Sequence, residues 1–156
     1  MRKIYFFILC SPIFIGANTM EINSEAKKVI YHYAEIVDSR SFDQLDSIMW
    51  SDFSMTGGYE LNGIEGFMGA MDYLVSTYTK TMHLIGNIDG SWDGDIYKGK
   101  TYCIASHIFE ENGQMKKLDM GIIYEDTLER RDGIVKFVNR DFNLQWQKTD
   151  TLDSLK

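Results

Sequence analysis

Four side chains carry a charge or a titratable proton where the surrounding pattern is apolar: Asp38, His83, His107 and Arg140. Burying such groups without partners costs several kcal/mol, so each placement needs a reason. Asp38 directly follows an apolar stripe made by Ala26, Val29, Ile30, Tyr33, Ala34 and Val37. His83 alternates with Ile85, and His107 with Cys103, Ala105 and Phe109. Arg140 alternates with Val138, Phe142, Leu144 and Trp146, so each of the three lies on an apolar face if its segment is a strand. A carboxylate beside an imidazole is a general-base unit: it keeps one ring nitrogen protonated, leaves the other free to accept a proton and stabilises the resulting imidazolium. An arginine facing the same space would hold an oxyanion or an anionic leaving group, unless it serves as the buried partner of Asp38 or Asp141. Periodicity alone leaves structural and catalytic roles open for all four. Neither His-x-His nor His-Glu-x-x-His spacing occurs, and no nucleotide or flavin motif is present, so neither a metal nor a cofactor is expected.

Three helices and a run of strands must position these groups. The stripe predicts a first helix over Ser24 to Val37, capped by Asn23 or Ser24, which leaves Asp38 at a helix-helix corner. Ser41-Phe42-Asp43-Gln44 has the form of a capping box and predicts a short second helix through Leu45, Ile48 and Met49. A third follows Asn62-Gly63, with Ile64, Phe67, Met68, Met71, Leu74, Val75 and Tyr78 on one side. Beyond Thr81 the dipeptides Asp89-Gly90, Asp93-Gly94, Asn112-Gly113 and Asp132-Gly133 suit tight turns. They divide strands expected near Met82 to Ile88, Lys100 to Glu110, Lys116 to Glu129 and Ile134 to Gln147, with a shorter one near Phe53 to Thr56. Helices followed by strands imply an α+β domain in which a curved antiparallel sheet wraps the helices.

Composition narrows the partners. The chain has 156 residues, 44% of them hydrophobic, and one proline, which suits a single compact domain. Sixteen basic against 23 acidic residues give a net charge of −7, so no nucleic-acid partner is expected. Met1-Arg2-Lys3, the apolar run from Ile4 to Ile15 and Gly16-Ala17 have the order of a secretory signal, cut after Ala17. On this reading residues 1–17 are a signal peptide, 20–148 form the domain and 149–156 a tail. The mature protein is then secreted or periplasmic with no membrane segment; a start at Met20 would instead leave it cytoplasmic. Cys103 is then the only thiol, so no disulfide framework is expected.

Three stretches together resemble the SnoaL-like group of the NTF2-like superfamily: Val37-Asp38-Ser39-Arg40-Ser41-Phe42-Asp43-Gln44-Leu45, Thr81-Met82-His83-Leu84-Ile85-Gly86-Asn87, and Glu129 to Arg140 with its Arg-Arg-Asp-Gly turn. The resemblance implies a cone-shaped α+β barrel, three helices packed in a highly curved antiparallel sheet, with a ligand pocket at the wide end. Two enzyme families within the group are similar residue by residue. Scytalone dehydratases match at Asp38, His83 and His107, whereas their pocket Ser and Asn fall at Ile122 and Tyr124. Hexachlorocyclohexane dehydrochlorinases match at Asp38, His83 and Arg140, while their catalytic Lys falls at Tyr33. Tyr33 lies five residues before Asp38, so its phenol can reach the pocket as a neutral donor without stacking on Asp38.

These readings converge on an Asp38–His83 general base, with His107 and Arg140 as further catalytic groups. Tyr33, Trp50, Met55, Tyr124 and Phe142 are the expected substrate-binding residues. Met68, Met71, Phe109 and Trp146 are expected in the core or pocket wall. The expected activity is elimination of dehydratase type, or isomerisation, of an apolar cyclic substrate. The alternative is a non-catalytic secreted protein that binds a small hydrophobic molecule. A homo-oligomer, dimer or trimer, is the expected assembly.

Overall fold

Alternating burial along four long strands builds the wall on which the helices rest. The computed structural model of the chain describes residues 16–58 and 60–153. The elements are α1 (Gly16–Ser39), a 3-10 turn (Phe42–Gln44), α2 (Leu45–Ile48), β1 (Met49–Thr56), β2 (Leu61–Asn62), α3 (Gly63–Thr77), β3 (Lys80–Asp93), β4 (Ile96–Glu111), β5 (Gln114–Arg131) and β6 (Ile134–Thr151). One six-stranded sheet has the order β2-β1-β6-β5-β4-β3. It is curled but not closed, so the expected barrel is an open, strongly bent sheet. It is also mixed: β1 runs parallel to β6, since β6 returns from the β3–β6 meander in the direction of β1.

The core joins α1 (Ala26, Ile30, Tyr33, Ile36, Val37) and α3 (Phe67, Met71) to Phe53, Tyr97, Leu128 and Phe137 of the sheet. Each of these large side chains contributes about 1.5–3 kcal/mol on leaving water. The predicted first helix is real but longer, so Asn23 and Ser24 lie inside α1 rather than at its start. Ser41 makes no capping bond; its hydroxyl accepts one from Ser39 at 2.9 Å. Arg40 takes a left-handed φ of 62° and turns the chain out of α1.

Asn112-Gly113 and Asp132-Gly133 form the expected hairpin turns with both residues at positive φ. Asp89-Gly90 does not turn. It continues β3, and Gly90 is needed there because a Cβ would stand 2.4 Å from the Tyr97 hydroxyl of β4. β6 pairs with β5 as far as Thr151, so residues 149–151 belong to the sheet rather than to a tail. Residues 1–15, most of the expected signal segment, and residues 154–156 lie outside the described residues. Among the described residues no helix is long and apolar enough to cross a membrane.

Candidate active site

The last turn of α1 and the start of β3 meet at Asp38. One carboxylate oxygen accepts from His83 Nδ1 at 2.7 Å and from the Thr81 hydroxyl at 2.9 Å; the other accepts from the His83 backbone N–H at 2.7 Å. A carboxylate at a helix C-terminus is opposed by the helix dipole, and these three bonds offset that. Burial alone would raise the Asp38 pKa, but the bonds from His83 and Thr81 outweigh it and hold the carboxyl below its ordinary value. Arg40 closes the outer side, donating to Thr81 Oγ1 at 3.1 Å and to the Val37 carbonyl at 3.2 Å. Burial lowers its pKa, and the Asp38 charge partly offsets that.

With Nδ1 bound to Asp38, the Nε2 of His83 takes no part in that bond, and the residue lines an adjacent cavity. That cavity has a volume of about 310 Å³, and Tyr33, Met55, Met71, His107, Tyr124 and Phe142 are among the residues that line it with His83. The walls are largely apolar, and the polar groups are phenols, imidazoles and the Gln147 amide. His107 is buried 5.9 Å from His83 between ring centroids, and Tyr78 packs against it at 4.7 Å. Burial first, and the neighbouring His83 second, push its pKa down to about 4, so it is neutral at physiological pH. Its Nδ1 has no hydrogen-bond partner among the described residues.

Arg140 is in a different place from the one expected. It is fully buried and does not line the cavity. Nε and Nη2 donate to the two oxygens of Asp126 at 2.7 and 2.9 Å, and Thr101 donates to the same carboxylate at 2.7 Å. Its partner is therefore Asp126, not Asp38 or Asp141. The guanidinium stacks on Tyr33, Tyr124 and Phe137 at 4.3, 4.2 and 4.5 Å from the ring centroids. Nη1 has no hydrogen-bond partner among the described residues. The two tyrosines thus stand between Arg140 and the cavity.

Trp50 is not at the cavity either. Its indole N–H donates to the Glu129 carbonyl at 3.0 Å, and Arg131 and Lys136 lie over its ring on the surface. Trp146, expected in the core or pocket wall, is 49% exposed on the opposite face of the sheet. There, with Leu84, Tyr102 and Ile104, it borders a depression of about 450 Å³ to which, among the described residues, no histidine, carboxylate or guanidinium contributes. This hollow, larger than the one beside His83, is thus lined by none of Asp38, His83, His107 and Arg140. Thr81, Arg40 and Asp126 were missed in the sequence, although Thr81 shares the period-two face of His83, and Asp126 that of Tyr124 and Leu128. Among the described residues no group of three His, Cys, Asp or Glu side chains is placed to hold a metal ion.

The SnoaL-like domain family matches residues 18–141, most of the chain. The chain belongs to the SnoaL-like family. Solved structures similar to this member include a putative scytalone dehydratase from Novosphingobium aromaticivorans, with a TM-score of 0.75 and 14% identity over 83% of this chain and 87% of that one. A hexachlorocyclohexane dehydrochlorinase from Novosphingobium barchaimii has a TM-score of 0.74 and 20% identity over 87% and 93% of the two chains. A protein from Kribbella flavida has a TM-score of 0.75 and 14% identity over 83% and 94%. At these identities the likeness fixes the fold, NTF2-like, and leaves the reaction to the site. The sequence matches no curated protein.

Proposed function

We propose that this SnoaL-like protein is a small general-base enzyme that removes a proton from carbon in a neutral, largely apolar cyclic substrate and carries it on to elimination or isomerisation. The observation that supports this reading is the Asp38–His83 bond of 2.7 Å at the wall of a largely apolar cavity. His83 Nε2 takes the proton, and Asp38 stabilises the imidazolium. In an elimination the C–H pair becomes the new double bond, and the proton on His83 passes to the departing hydroxyl, giving water. In an isomerisation the same proton returns to another carbon. His107, neutral above about pH 4, acts as a hydrogen-bonding group at the leaving oxygen rather than as a stored acid.

The test is proton exchange in D₂O, followed by NMR, on a panel of small cyclic β-hydroxy ketones and enolisable ketones. Wild type should exchange or convert at least one compound. Asp38→Asn should lower that rate by roughly two to four orders of magnitude while changing ligand affinity little. His83→Ala should be at least as damaging. A compound that binds tightly and returns unexchanged after long incubation would favour the non-catalytic binding reading instead.

Two further expectations stand as proposals. Export rests on the leader-like order of residues 1–17, and N-terminal sequencing of protein from its native host, expected to begin at Asn18, checks it. A homo-oligomer would cover the apolar outer face of the sheet, where Met82 is 62% and Leu84 61% exposed.

A further inference from the structure

We propose that Arg40 and Thr81, neither of which lines the cavity, are positioning residues for the base: acting in series from outside, they hold the Asp38 carboxylate where it accepts Nδ1–H of His83, and so keep Nε2 as the free nitrogen. The proposal rests on the general-base reading above and deepens it by naming what aligns the pair.

The backbone at Arg40 gives the first reason. The Ser41 N–H donates to the Ile36 carbonyl at 3.1 Å and the Arg40 N–H to the Val37 carbonyl at 3.4 Å, the two bonds that close a helix through one left-handed residue. Arg40 is that residue, at a φ of 62°. Glycine is usual there, because a Cβ is strained in this region, and glycine would make the same two backbone bonds. What it would lack is the side chain. The Arg40 guanidinium reaches three elements: Nη1 donates to the Val37 carbonyl of α1 at 3.2 Å and to Thr81 Oγ1 of β3 at 3.1 Å, and Nη2 to the carbonyl of Tyr78, which caps α3, at 3.4 Å. Neither helix carries a basic residue in its own last turn, so Arg40 supplies a cation to both negative ends.

The direction of the hydrogen bonds gives the second. A guanidinium only donates and a carboxylate only accepts. Thr81, placed between them, must therefore accept from Arg40 and give its single hydroxyl proton to Asp38, at 2.9 Å. The other two bonds to Asp38 come from His83 itself, through Nδ1 and the backbone N–H. Those two tie the carboxylate to the histidine, and Thr81 adds a donor from outside the pair. The Asp38 side chain is 25% exposed and that of His83 only 6%, so water competes for the carboxylate rather than for the imidazole. Thr81 and His83 Nδ1 share Oδ1 and take the lone pairs that water would use. An imidazole released from its carboxylate can turn over or change tautomer, and either change removes Nε2 as proton acceptor.

The experiment reads the His83 Nδ1 proton by NMR in the free protein labelled with ¹⁵N-histidine, at about pH 8.5, where an ordinary imidazole is neutral. Wild type should show a low-field Nδ1–H and a bare Nε2, both assigned by their loss in His83→Ala. Exchange of that proton with water, measured by saturation transfer, should be about 10-fold faster in Thr81→Val and in Arg40→Gly, as loss of one hydrogen bond to a charged group requires of an opening equilibrium. Thr81→Ser keeps the hydroxyl and should stay within about twofold of wild type. Melting curves check each fold, and Arg40→Gly suits the left-handed backbone, so it decides the matter if Thr81→Val does not fold. Exchange within about twofold of wild type in Arg40→Gly overturns the proposal, because the guanidinium then serves the helix ends alone. So does a Thr81→Ser protein that exchanges as fast as Thr81→Val, or a wild-type ring protonated on Nε2 alone. D₂O exchange on the ketone panel reports on the base separately: a wild type that shows the Nδ1 proton yet exchanges no compound fails the general-base reading, not the alignment of the pair.

Discussion

His107 reports directly on how dry the cavity is, because its protonation is set chiefly by burial. The side chain is 4% exposed, and its pKa is pushed from 6.5 down to about 4. In the unfolded chain this imidazole binds a proton below about pH 6.5. In the folded protein it does so only below about pH 4. Between those values the unfolded state holds one more proton than the native state, so the free energy of unfolding rises with pH. The stability belonging to neutral His107 is complete above about pH 6.5 and lost progressively towards about pH 4. At about 1.4 kcal/mol per pH unit, the loss across the window is roughly 3 kcal/mol, a large part of the roughly 5–15 kcal/mol typical of a domain. The groups that face His107 are His83 on β3 and Tyr78 at the end of α3, with Asp38 behind His83; the Asp38 carboxyl is held below 3.8 and titrates below the window. The perturbation is His107→Gln, which keeps a hydrogen-bonding side chain and removes the titration. Urea unfolding of both proteins, followed by circular dichroism from about pH 4.5 to about pH 7.5, gives the difference in stability, in which the remaining carboxylates cancel. That difference, wild type minus variant, should fall by roughly 2–3 kcal/mol on acidification. A difference constant to within about 0.5 kcal/mol would refute the reasoning, because an imidazole that titrates normally in the fold has no linkage to lose.

Other consequences are open to simple measurements. Gly57→Ala places a Cβ 2.4 Å from the Phe142 carbonyl oxygen at a φ of 82°, whereas Gly58→Ala at a φ of 95° meets nothing within 4 Å. Thermal melts should show the first costing at least about 2 kcal/mol more than the second. Arg140→Met leaves the Asp126 charge buried and should cost about 3–5 kcal/mol, while Arg140→Met with Asp126→Leu should recover most of that loss in denaturant melts. Trp146→Glu combined with Leu84→Lys charges the apolar outer face, and light scattering should report a smaller particle than wild type if a second copy covers that face; equal masses would remove the oligomer proposal.

Much of the layout was legible because it depends on period and on turn chemistry. The stripe from Ala26 to Val37 placed α1 and left Asp38 at its end. The alternation of His83 with Ile85 and of His107 with Ala105 put both imidazoles on the inner face, and β3–β4 pairing sets His83 opposite Ala105, two residues from His107. What escaped has local causes. Asp89-Gly90 is a turn dipeptide by composition, yet Tyr97 packs over that glycine and keeps the strand running. Trp50 counted as a pocket residue by type alone, but β1 carries it to a surface where its N–H and ring face are already occupied.

The placement of Arg140 shows where strict alternation stops being a guide. β6 contains two irregularities against β5: Leu128 pairs with Phe137 but Thr127 with Asn139, and Ile122 pairs with Leu144 but Gly121 with Trp146. Each skips one residue, Val138 and then Gln145, and each skip exchanges the faces of everything beyond it. Phe137 and Arg140, three apart, consequently share the inner face. Trp146, six residues beyond Arg140 and predicted to share its face, points outward across Gly121, where a Cβ would collide with the indole at 2.2 Å. A bulge leaves no mark in the pattern of residue types, so the expected row of apolar partners for Arg140 dissolves into Phe137, Tyr33 and Tyr124 contributed by three elements. That rearrangement has a chemical consequence. A guanidinium held among aromatic rings, bound to Asp126 and absent from the cavity lining is not placed to meet a leaving group beside His83.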